Sequence, residues 1–375
     1  MKKIYDVIIV GGGLAGLINA ILLSKADLSV LVIEKKKYPF HRVCGEYISN
    51  EVLPFLNSID INPFDLGAQK ISNFFLSSPS GKQKIEIPLD LGGFGISRYA
   101  FDEYLYNKAL KSGAEFIIGK KVEDIRYEDE NFKVFTNDEG FIESKLVIGA
   151  FGKRSHLDKN FNRAFIQSSS PYIGVKYHIK TDFPKDLIAL HNFKDGYCGI
   201  SGIEDEKYNM CYLTTRKNLK KYGTIDEMEE NIVFKNPFLR AIKSNSEFLF
   251  NKPEVINEIS FARKSTIENH ILMSGDTAGL ITPLCGNGMA MAIHSAKILS
   301  ENIKKYYSQN LSRQQLEENY SAQWKINFNK RLWAGRNIQK LFGNTFLSEI
   351  AIGGLKHSAA AVNGLVSLTH GDIIN

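Results

Sequence analysis

The chain has 375 residues, of which 43% are hydrophobic and 23% are charged, and its net charge is +6. This composition is typical of a globular protein with one large core or two coupled domains. The positive charges are spread out and are not interleaved with aromatic residues, which argues against a nucleic-acid partner. Four cysteines without a closely spaced pair predict neither a disulfide framework nor a metal site, and they favour a reducing, cytoplasmic environment.

The predicted elements begin with a strand, a helix and a second strand, over 5–10, 14–25 and 28–33. The two strands are short runs of branched apolar residues, as expected of buried parallel strands. Further along we predict helices over 101–112 and 287–306, and strands over 115–118, 122–127, 132–136, 141–144, 146–150 and 271–274. Alternating segments predict a second, antiparallel group of strands over 73–78, 83–88, 172–179, 187–191, 196–203 and 209–215.

The first motif is Gly11-Gly12-Gly13-Leu14-Ala15-Gly16, between the first strand and the first helix. In such a turn Gly11 allows the tight bend, Gly13 lets the backbone approach a pyrophosphate, and Gly16 lets helix and strand pack closely. The N–H groups and the dipole at the helix N-terminus favour the phosphates. Glu34 ends the second strand, where a carboxylate can accept hydrogen bonds from ribose hydroxyls. This context predicts dinucleotide binding.

A second glycine-rich connection occurs late in the chain. The predicted strand over 271–274 runs into Gly275-Asp276, and Pro283-Leu284-Cys285-Gly286-Asn287-Gly288-Met289 leads into the next predicted helix. Arg98 lies just before the predicted helix over 101–112. The alternative for each segment is an ordinary connection made of turn residues, but two such helix openings in one chain favour a shared ligand.

With these motifs the chain resembles the flavin-dependent oxidoreductases of the glutathione-reductase-like class, which include para-hydroxybenzoate hydroxylase, tryptophan halogenases and geranylgeranyl reductases. The resemblance covers about the first 310 residues and implies an FAD cofactor. It implies that the pyrophosphate lies at Gly11 to Gly16, and that Arg98 and Asp276 meet the phosphate–ribityl region. The cofactor-binding residues predicted in this way are Gly11, Gly13, Leu14, Ala15, Gly16, Glu34, Lys35, Arg42, Cys44, Arg98, Val122, Ala150, Gly152, Asp276, Pro283, Gly286, Asn287, Gly288 and Met289.

The fold class implied is α/β with an α+β insert. A Rossmann-like FAD-binding domain is expected over 1–70, 95–160 and 260–310, an antiparallel-sheet substrate domain over 71–94 and 161–259, and a helical C-terminal part over 311–375.

The geranylgeranyl reductase branch is favoured because Cys44-Gly45-Glu46 resembles a segment of those enzymes. In the strand over 196–201, however, Gly199 stands where the reductases carry a tryptophan. The only tryptophans, Trp324 and Trp333, lie outside a halogenase-like segment, and Phe151 replaces the acid that is usual in aromatic hydroxylases.

Three residues are predicted to be catalytic. Cys44 could donate a proton near the flavin. Glu46 lies two residues after Cys44 in the same segment. Tyr197 is expected to line the cavity. For each residue a structural role is the alternative: Cys44 and Tyr197 could pack in the interior, and Glu46 could fix its loop by a hydrogen bond to the backbone.

The predicted function is hydride transfer between FAD and a carbon of a hydrophobic, unsaturated substrate such as an isoprenoid or a polyketide. The alternatives are an FAD-dependent monooxygenase of an aromatic or polyketide substrate and a non-catalytic electron-transfer module. Since the chain has no second glycine-rich dinucleotide motif, NAD(P)H would dock transiently as the reductant, or another carrier would serve. The basic stretch over 328–342 is expected either to touch a membrane surface or to pack as a surface helix.

Overall fold

The computed structural model describes residues 3–167, 170–341 and 345–374. The strands, in chain order, are β1 (Ile4–Val10), β2 (Val30–Glu34), β3 (Tyr47–Ser49), β4 (Gln69–Ser77), β5 (Lys84–Gly95), β6 (Glu115–Ile118), β7 (Val122–Glu128), β8 (Asn131–Thr136), β9 (Phe141–Gly149), β10 (Tyr172–Lys180), β11 (Leu187–Phe193), β12 (Gly196–Gly202), β13 (Tyr208–Thr215), β14 (Glu247–Phe248), β15 (Glu254–Ile259), β16 (Ile267–Glu268) and β17 (Ile271–Met273). The helices are α1 (Leu14–Ser24), α2 (Leu53–Ser58), α3 (Arg98–Lys111), α4 (His156–Asn160), α5 (Arg216–Tyr222), α6 (Ile225–Asn231), α7 (Pro237–Ser244), α8 (Gly288–Ser308), α9 (Arg313–Leu341), α10 (Thr345–Leu355) and α11 (Ala359–Ser367).

The first sheet has eight strands within the described residues, and its central order is β16-β17-β9-β1-β2-β6. The four pairings from β17 to β6 are parallel. In β1 the apolar residues from Val7 to Val10 are almost fully buried, as expected of a strand that is covered on both faces. Val10 pairs with Ile33 and with Gly149, so the carboxyl ends of three neighbouring strands meet at one edge. In sheets of this kind ligands bind at that edge.

The second sheet has nine strands among the described residues, in the order β14-β10-β13-β12-β11-β4-β5-β3, with β15 also on β10. Its pairings are antiparallel apart from β11 with β4. Alternate side chains point to opposite faces of such a sheet. One face of the β10–β13 region packs with α6 and α7 in a core that contains Tyr212, Met228 and Phe234. The other face contributes residues such as Leu190, Tyr197 and Leu213 to a second apolar cluster, which also contains residues of α10 and α11.

The α/β fold with an antiparallel sheet and C-terminal helices agrees with the prediction, and the details differ at a few places. The segments predicted as separate strands over 141–144 and 146–150 form one strand, β9. The strand predicted to end at Pro88 continues to Gly95, and a register irregularity lies beside Pro88, opposite Asn73. The three-residue strand β3 was not predicted. It places 47–49 in the second sheet, although those residues belong to the predicted FAD-binding domain, whose boundaries remain a prediction.

Candidate functional site

A cavity of about 690 Å³ lies between the two sheets and the C-terminal helices. This volume is in the range of cofactor and substrate pockets. One end is lined by Gly11, Gly13 and the start of α1. The other end is apolar and reaches residues of α9, α10 and α11. The arrangement therefore joins a polar, glycine-lined chamber to an apolar one.

The polar end is built by the turn from β1 to α1. Gly11 has φ +106°, a conformation that side chains disfavour, and a Cβ atom there would overlap the carbonyl of Ala150. A Cβ atom on Gly16 would overlap the carbonyl of Gly11, so Gly16 permits the close approach of helix and turn. Gly13 is the N-cap of α1 and provides no side-chain cap. The first N–H groups of this helix are therefore available to a ligand.

Glu34 is fixed at the carboxyl end of β2 by backbone donors. Its Oε2 accepts a hydrogen bond of 2.8 Å from the N–H of Gly12, and its Oε1 accepts one of 3.0 Å from the N–H of Lys36. The Tyr38 hydroxyl donates to the carbonyl of Gly12 and holds the turn from the other side. Oε2 of Glu34 also accepts a hydrogen bond of 3.4 Å from Arg42 Nη2, so the second lone pair of Oε1 is the one that can accept a hydrogen bond from a ribose hydroxyl.

Two guanidinium groups face the glycine turn. Arg98 makes a bidentate pair with the buried carboxylate of Asp102, with distances of 2.7 and 2.8 Å, and Arg42 Nε donates to the same carboxylate at 3.1 Å. Burial by itself would lower the pKa of Arg98, but Asp102 raises it above its usual value. A Cβ atom on Gly13 would lie 3.5 Å from Arg98 Nη2 and 4.0 Å from Arg42 Nη2. A group that approaches Gly13 therefore lies within reach of two cations and a helix N-terminus, which suits a phosphate.

The second helix opening lies across the same cavity. The connection after β17 contains Asp276, and Gly286 adopts the left-handed conformation with φ +65°. Helix α8 starts at Gly288 without a side-chain cap, like α1. Gly288 and Met289 line the cavity. A helix N-terminus at this place would stabilise negative charge on a bound group.

Glu46 belongs to a buried cluster of charged groups. Its carboxylate accepts hydrogen bonds from Lys176 Nζ, from His178 Nε2 at 2.7 Å and from the backbone N–H of Arg98 at 2.7 Å. Burial raises the pKa of Glu46, but Lys176 and His178 outweigh burial and lower the pKa to about 2. Burial, followed by the charges on Lys176 and His178, lowers the pKa of the adjacent His41 to about 4. Glu46 is thus an ionised group that is tied to its neighbours.

Cys44 and Tyr197 both line the cavity. Cys44 is partly buried, and its carbonyl accepts a hydrogen bond of 3.1 Å from the Asn209 side chain, which fixes the loop to β13. Tyr197 is buried in β12. Cys211 also lines the cavity, and its pKa is raised to about 12, chiefly by burial. Cys211 is therefore a protonated thiol at neutral pH.

The apolar chamber is closed by helices as well as by the second sheet. The sheet contributes side chains such as Phe74, Leu190 and Leu213. The C-terminal residues that line the chamber are Ile338, Leu355, Val362, Leu365, Val366, Thr369 and His370. The sequence analysis assigned the substrate domain to the antiparallel sheet and kept the helical C-terminal part separate, so the contribution of the helices was missed.

Of the residues predicted from the sequence to bind the cofactor, all line this cavity except Gly16 and Asn287. Gly16 allows the packing described above. The Asn287 side chain is buried and donates hydrogen bonds of 3.0 Å to Glu51 Oε2 and to the carbonyl of Thr369. Asn287 therefore fastens the C-terminal segment to the start of α8. Sequence reasoning also missed Lys176 and His178, although two basic residues in a strand with the pattern YIGVKYHIK are a usable signal.

A model of the family described as FAD binding domain matches residues 4–325. The chain belongs to this FAD binding domain family. Within the family it is an FAD-dependent oxidoreductase, and the sequence-based assignment to the flavin-dependent oxidoreductases is confirmed.

The similar proteins include a curated reductase and two solved structures. The digeranylgeranylglycerophospholipid reductase of Methanococcus vannielii is 25% identical over 346 residues, which cover 87% of this chain and 83% of that protein. A geranylgeranyl bacteriochlorophyll reductase-like structure from Thermoplasma acidophilum has a TM-score of 0.80 at 20% identity and covers 98% and 96% of the two chains. A flavin-dependent brominase has a TM-score of 0.82 at 18% identity, with 100% and 95% covered. The two structural matches show the shared fold.

The residues of the cavity fit the FAD that the family implies. The position beside Gly13, which both guanidinium groups and the N-terminus of α1 face, suits the pyrophosphate, and Glu34 is positioned for a ribose. The two uncapped helix N-termini line one cavity, so a single elongated dinucleotide could contact both.

Proposed function

We propose that the protein transfers hydride between FAD and a carbon of a hydrophobic, unsaturated substrate such as an isoprenoid or a polyketide. One observation carries the proposal: the glycine-lined end of the cavity continues without a break into the apolar chamber. A bound FAD would supply the hydride chemistry, and the chamber would hold the substrate against it. The name of the Methanococcus vannielii relative, a reductase of a prenyl lipid, agrees with this substrate class.

The residues of the chain divide the remaining work. The apolar side chains of the second sheet and of α9 to α11 exclude water and bind the hydrocarbon part of the substrate. Cys44 and Tyr197 line the cavity and carry exchangeable protons, so they are the candidates for supplying a proton to the reduced carbon. Glu46 is ionised and holds three donors, so we assign it a positioning role for the loop of Cys44 instead of the catalytic role predicted from the sequence.

The reductant is proposed to act from outside the cavity. NAD(P)H would reach the bound FAD by transient docking, or another electron carrier would replace it. Stopped-flow reduction under anaerobic conditions with NADPH, NADH and dithionite tests this step, because only a reductant that docks productively gives a rate that saturates with its concentration.

The central test is an assay of the FAD-loaded protein with polyprenyl and polyketide compounds, with product masses measured with and without oxygen. We expect a product that differs from the substrate by two hydrogen atoms and forms without oxygen. A product that has gained an oxygen atom only when oxygen is present would establish the monooxygenase alternative. Reoxidation of FAD without any change in the carbon compounds would leave only the electron-transfer module.

Variants at Cys44 and Tyr197 separate catalysis from packing. We expect Tyr197→Phe or Cys44→Ala to lower kcat by about 100-fold if the residue supplies the proton, which is the usual size of such an effect. Cys44→Ser keeps an exchangeable proton and should retain more activity than Cys44→Ala. Tyr222→Phe is the control, since Tyr222 is a partly buried residue at the edge of the separate α6–α7 core. A kcat that is unchanged in both Cys44→Ala and Tyr197→Phe would assign the proton to water.

A further inference from the structure

Lysines and arginines occur along the whole chain, but between Glu318 and Asp372 they greatly outnumber the acidic residues. Residues 320–371 contain six Lys and Arg residues and one acidic residue, Glu349, so this segment supplies five of the six net positive charges of the chain. Glu349 is itself engaged, because its Oε1 accepts a hydrogen bond of 2.7 Å from the backbone N–H of Ser80. Arg331 is buried and paired with Glu51, so the basic character of the surface comes mainly from the exposed lysines of α9.

The last part of α9 presents apolar and basic side chains together. Ile326 is 80% exposed and Trp333 is 59% exposed, and they are seven residues apart, which places them on the same side of a helix. Lys330 and Lys340 are exposed along the same side. A tryptophan among lysines on one helix side is typical of helices that lie at a membrane surface. The prediction over 328–342 included Phe342, which lies outside the described residues.

Helix α10 is apolar on two sides. Ile352 is buried in the cluster that contains Leu190 and Tyr197, and Leu355 lines the cavity. On the outside, Ile350 is 57% exposed and Phe346 is 69% exposed. A surface helix usually turns polar residues towards water. An outer side of this composition suits a hydrocarbon environment.

We propose that the outer sides of α9 and α10 form a docking surface for an anionic lipid bilayer. The occupant is chosen by charge complementarity: the lysines of α9 match anionic headgroups, and Trp333 and Ile350 reach the boundary between headgroups and acyl chains. No helix among the described residues is long and apolar enough to cross a membrane, so the contact is peripheral. The proposal rests on the proposed function, because the inner sides of the same helices line the apolar chamber that a lipid substrate would enter.

The test is flotation of the FAD-loaded, full-length protein with vesicles of phosphatidylcholine alone or with about one third phosphatidylglycerol. We expect at least tenfold more bound protein with the anionic vesicles, and a decrease in binding as salt is raised from 0.05 to about 0.5 M, because salt screens surface charges. The emission of Trp333 should shift to the blue on binding, since Trp324, the only other tryptophan, is already buried. Equal binding to both kinds of vesicle, or no binding, would overturn the proposal.

Matched variants locate the surface. The double variant Lys330→Glu with Lys340→Glu should reduce vesicle binding at least tenfold. The control is Lys217→Glu with Lys220→Glu, which makes the same change of charge at two exposed positions of α5 and should change vesicle binding less than twofold. Ile350→Ser should weaken binding with little change in salt dependence. Equal losses in both lysine pairs would show that only the total charge matters. If the wild-type protein is a dimer that Ile350→Ser dissociates, the surface belongs to a second copy and the proposal fails.

These outcomes are independent of the reaction. Vesicle binding is measured without a substrate, and reductase activity is measured on a substrate dispersed in neutral detergent. Vesicle binding without activity would refute the proposed function and leave the docking surface intact. Activity without vesicle binding would refute the docking surface and leave the proposed function intact.

Discussion

Replacement of Glu46 by glutamine tests the buried charge cluster. The Glu46 and Lys176 side chains have no exposed surface, and the pKa of Glu46 falls from its usual 4.5 to about 2. Since a tenfold change in proton binding corresponds to about 1.4 kcal/mol, this fall corresponds to about 3 kcal/mol of stability at neutral pH. Removal of one partner from a buried ion pair typically costs about 3–5 kcal/mol. We therefore expect Glu46→Gln to lower the free energy of unfolding by about 3 kcal/mol.

The pH dependence of this loss gives a second measurement. Because the folded-state pKa of Glu46 is depressed, its contribution is complete above pH 4.5 and is lost as the pH falls towards 2. The wild-type protein and Glu46→Gln should therefore differ most in urea denaturation at neutral pH, and the difference should shrink in acid.

The double variant Glu46→Gln with Lys176→Met is the control, since it removes both charges and leaves neither unpaired. We expect it to be more stable than the sum of the two single losses predicts. Additive losses, or a loss below about 1 kcal/mol in Glu46→Gln, would show that the ion pair does not hold this loop.

Three other changes test separate parts of the site. Arg98→Met should weaken FAD binding about 10- to 100-fold, which is the usual effect of losing a charged hydrogen bond. Arg126→Met, at an exposed position of a strand, is the control and should leave FAD binding unchanged. Fluorescence titration of the cofactor-free protein with FAD measures both. Gly11→Ala should prevent FAD retention or folding, whereas Gly140→Ala, also at positive φ but with open space around it, should cost only about 1 kcal/mol in urea denaturation. Burial lowers the pKa of His191 from its usual 6.5 to about 3, so below pH 6.5 the unfolded state binds a proton that the folded state does not bind, and the wild-type protein loses stability. His191→Gln has no such group. Between pH 7 and 4.5 its free energy of unfolding should therefore fall less than that of the wild type, by up to about 3 kcal/mol.

The parts of the fold and site that could be predicted are local in sequence. The β1–α1–β2 unit and the glycine turn follow from short-range periodicity and from glycine geometry, and Glu34 follows at a fixed distance along the chain. In contrast, the side-chain partners of Glu46 lie about 130 residues away along the chain, in β10 of the second sheet. No local pattern specifies such a partner. The only local signal is that two basic residues, Lys176 and His178, interrupt the apolar pattern of β10.

Two other failures also have physical causes. Proline has no N–H to donate and is usually tolerated only at sheet edges or bulges, so ending β5 at Pro88 was reasonable. The irregular register beside it allows the strand to continue. The C-terminal helices were assigned to a separate part because amphipathic patterns show which side of a helix is apolar, but not which chamber that side closes.

The Glu46 carboxylate connects the two ends of the cavity. One oxygen receives the N–H of Arg98, whose guanidinium faces the glycine turn, and the same carboxylate binds Lys176 and His178 of the strand β10 in the second sheet. A neutral side chain could pack in the same space, but it could not satisfy a buried ammonium and two further donors. The position of the Cys44 loop is thus set jointly by the phosphate-facing helix α3 and by the sheet that walls the substrate chamber. A displacement of that sheet would move Cys44 and Arg98 together, so the relative position of the two chambers would be kept.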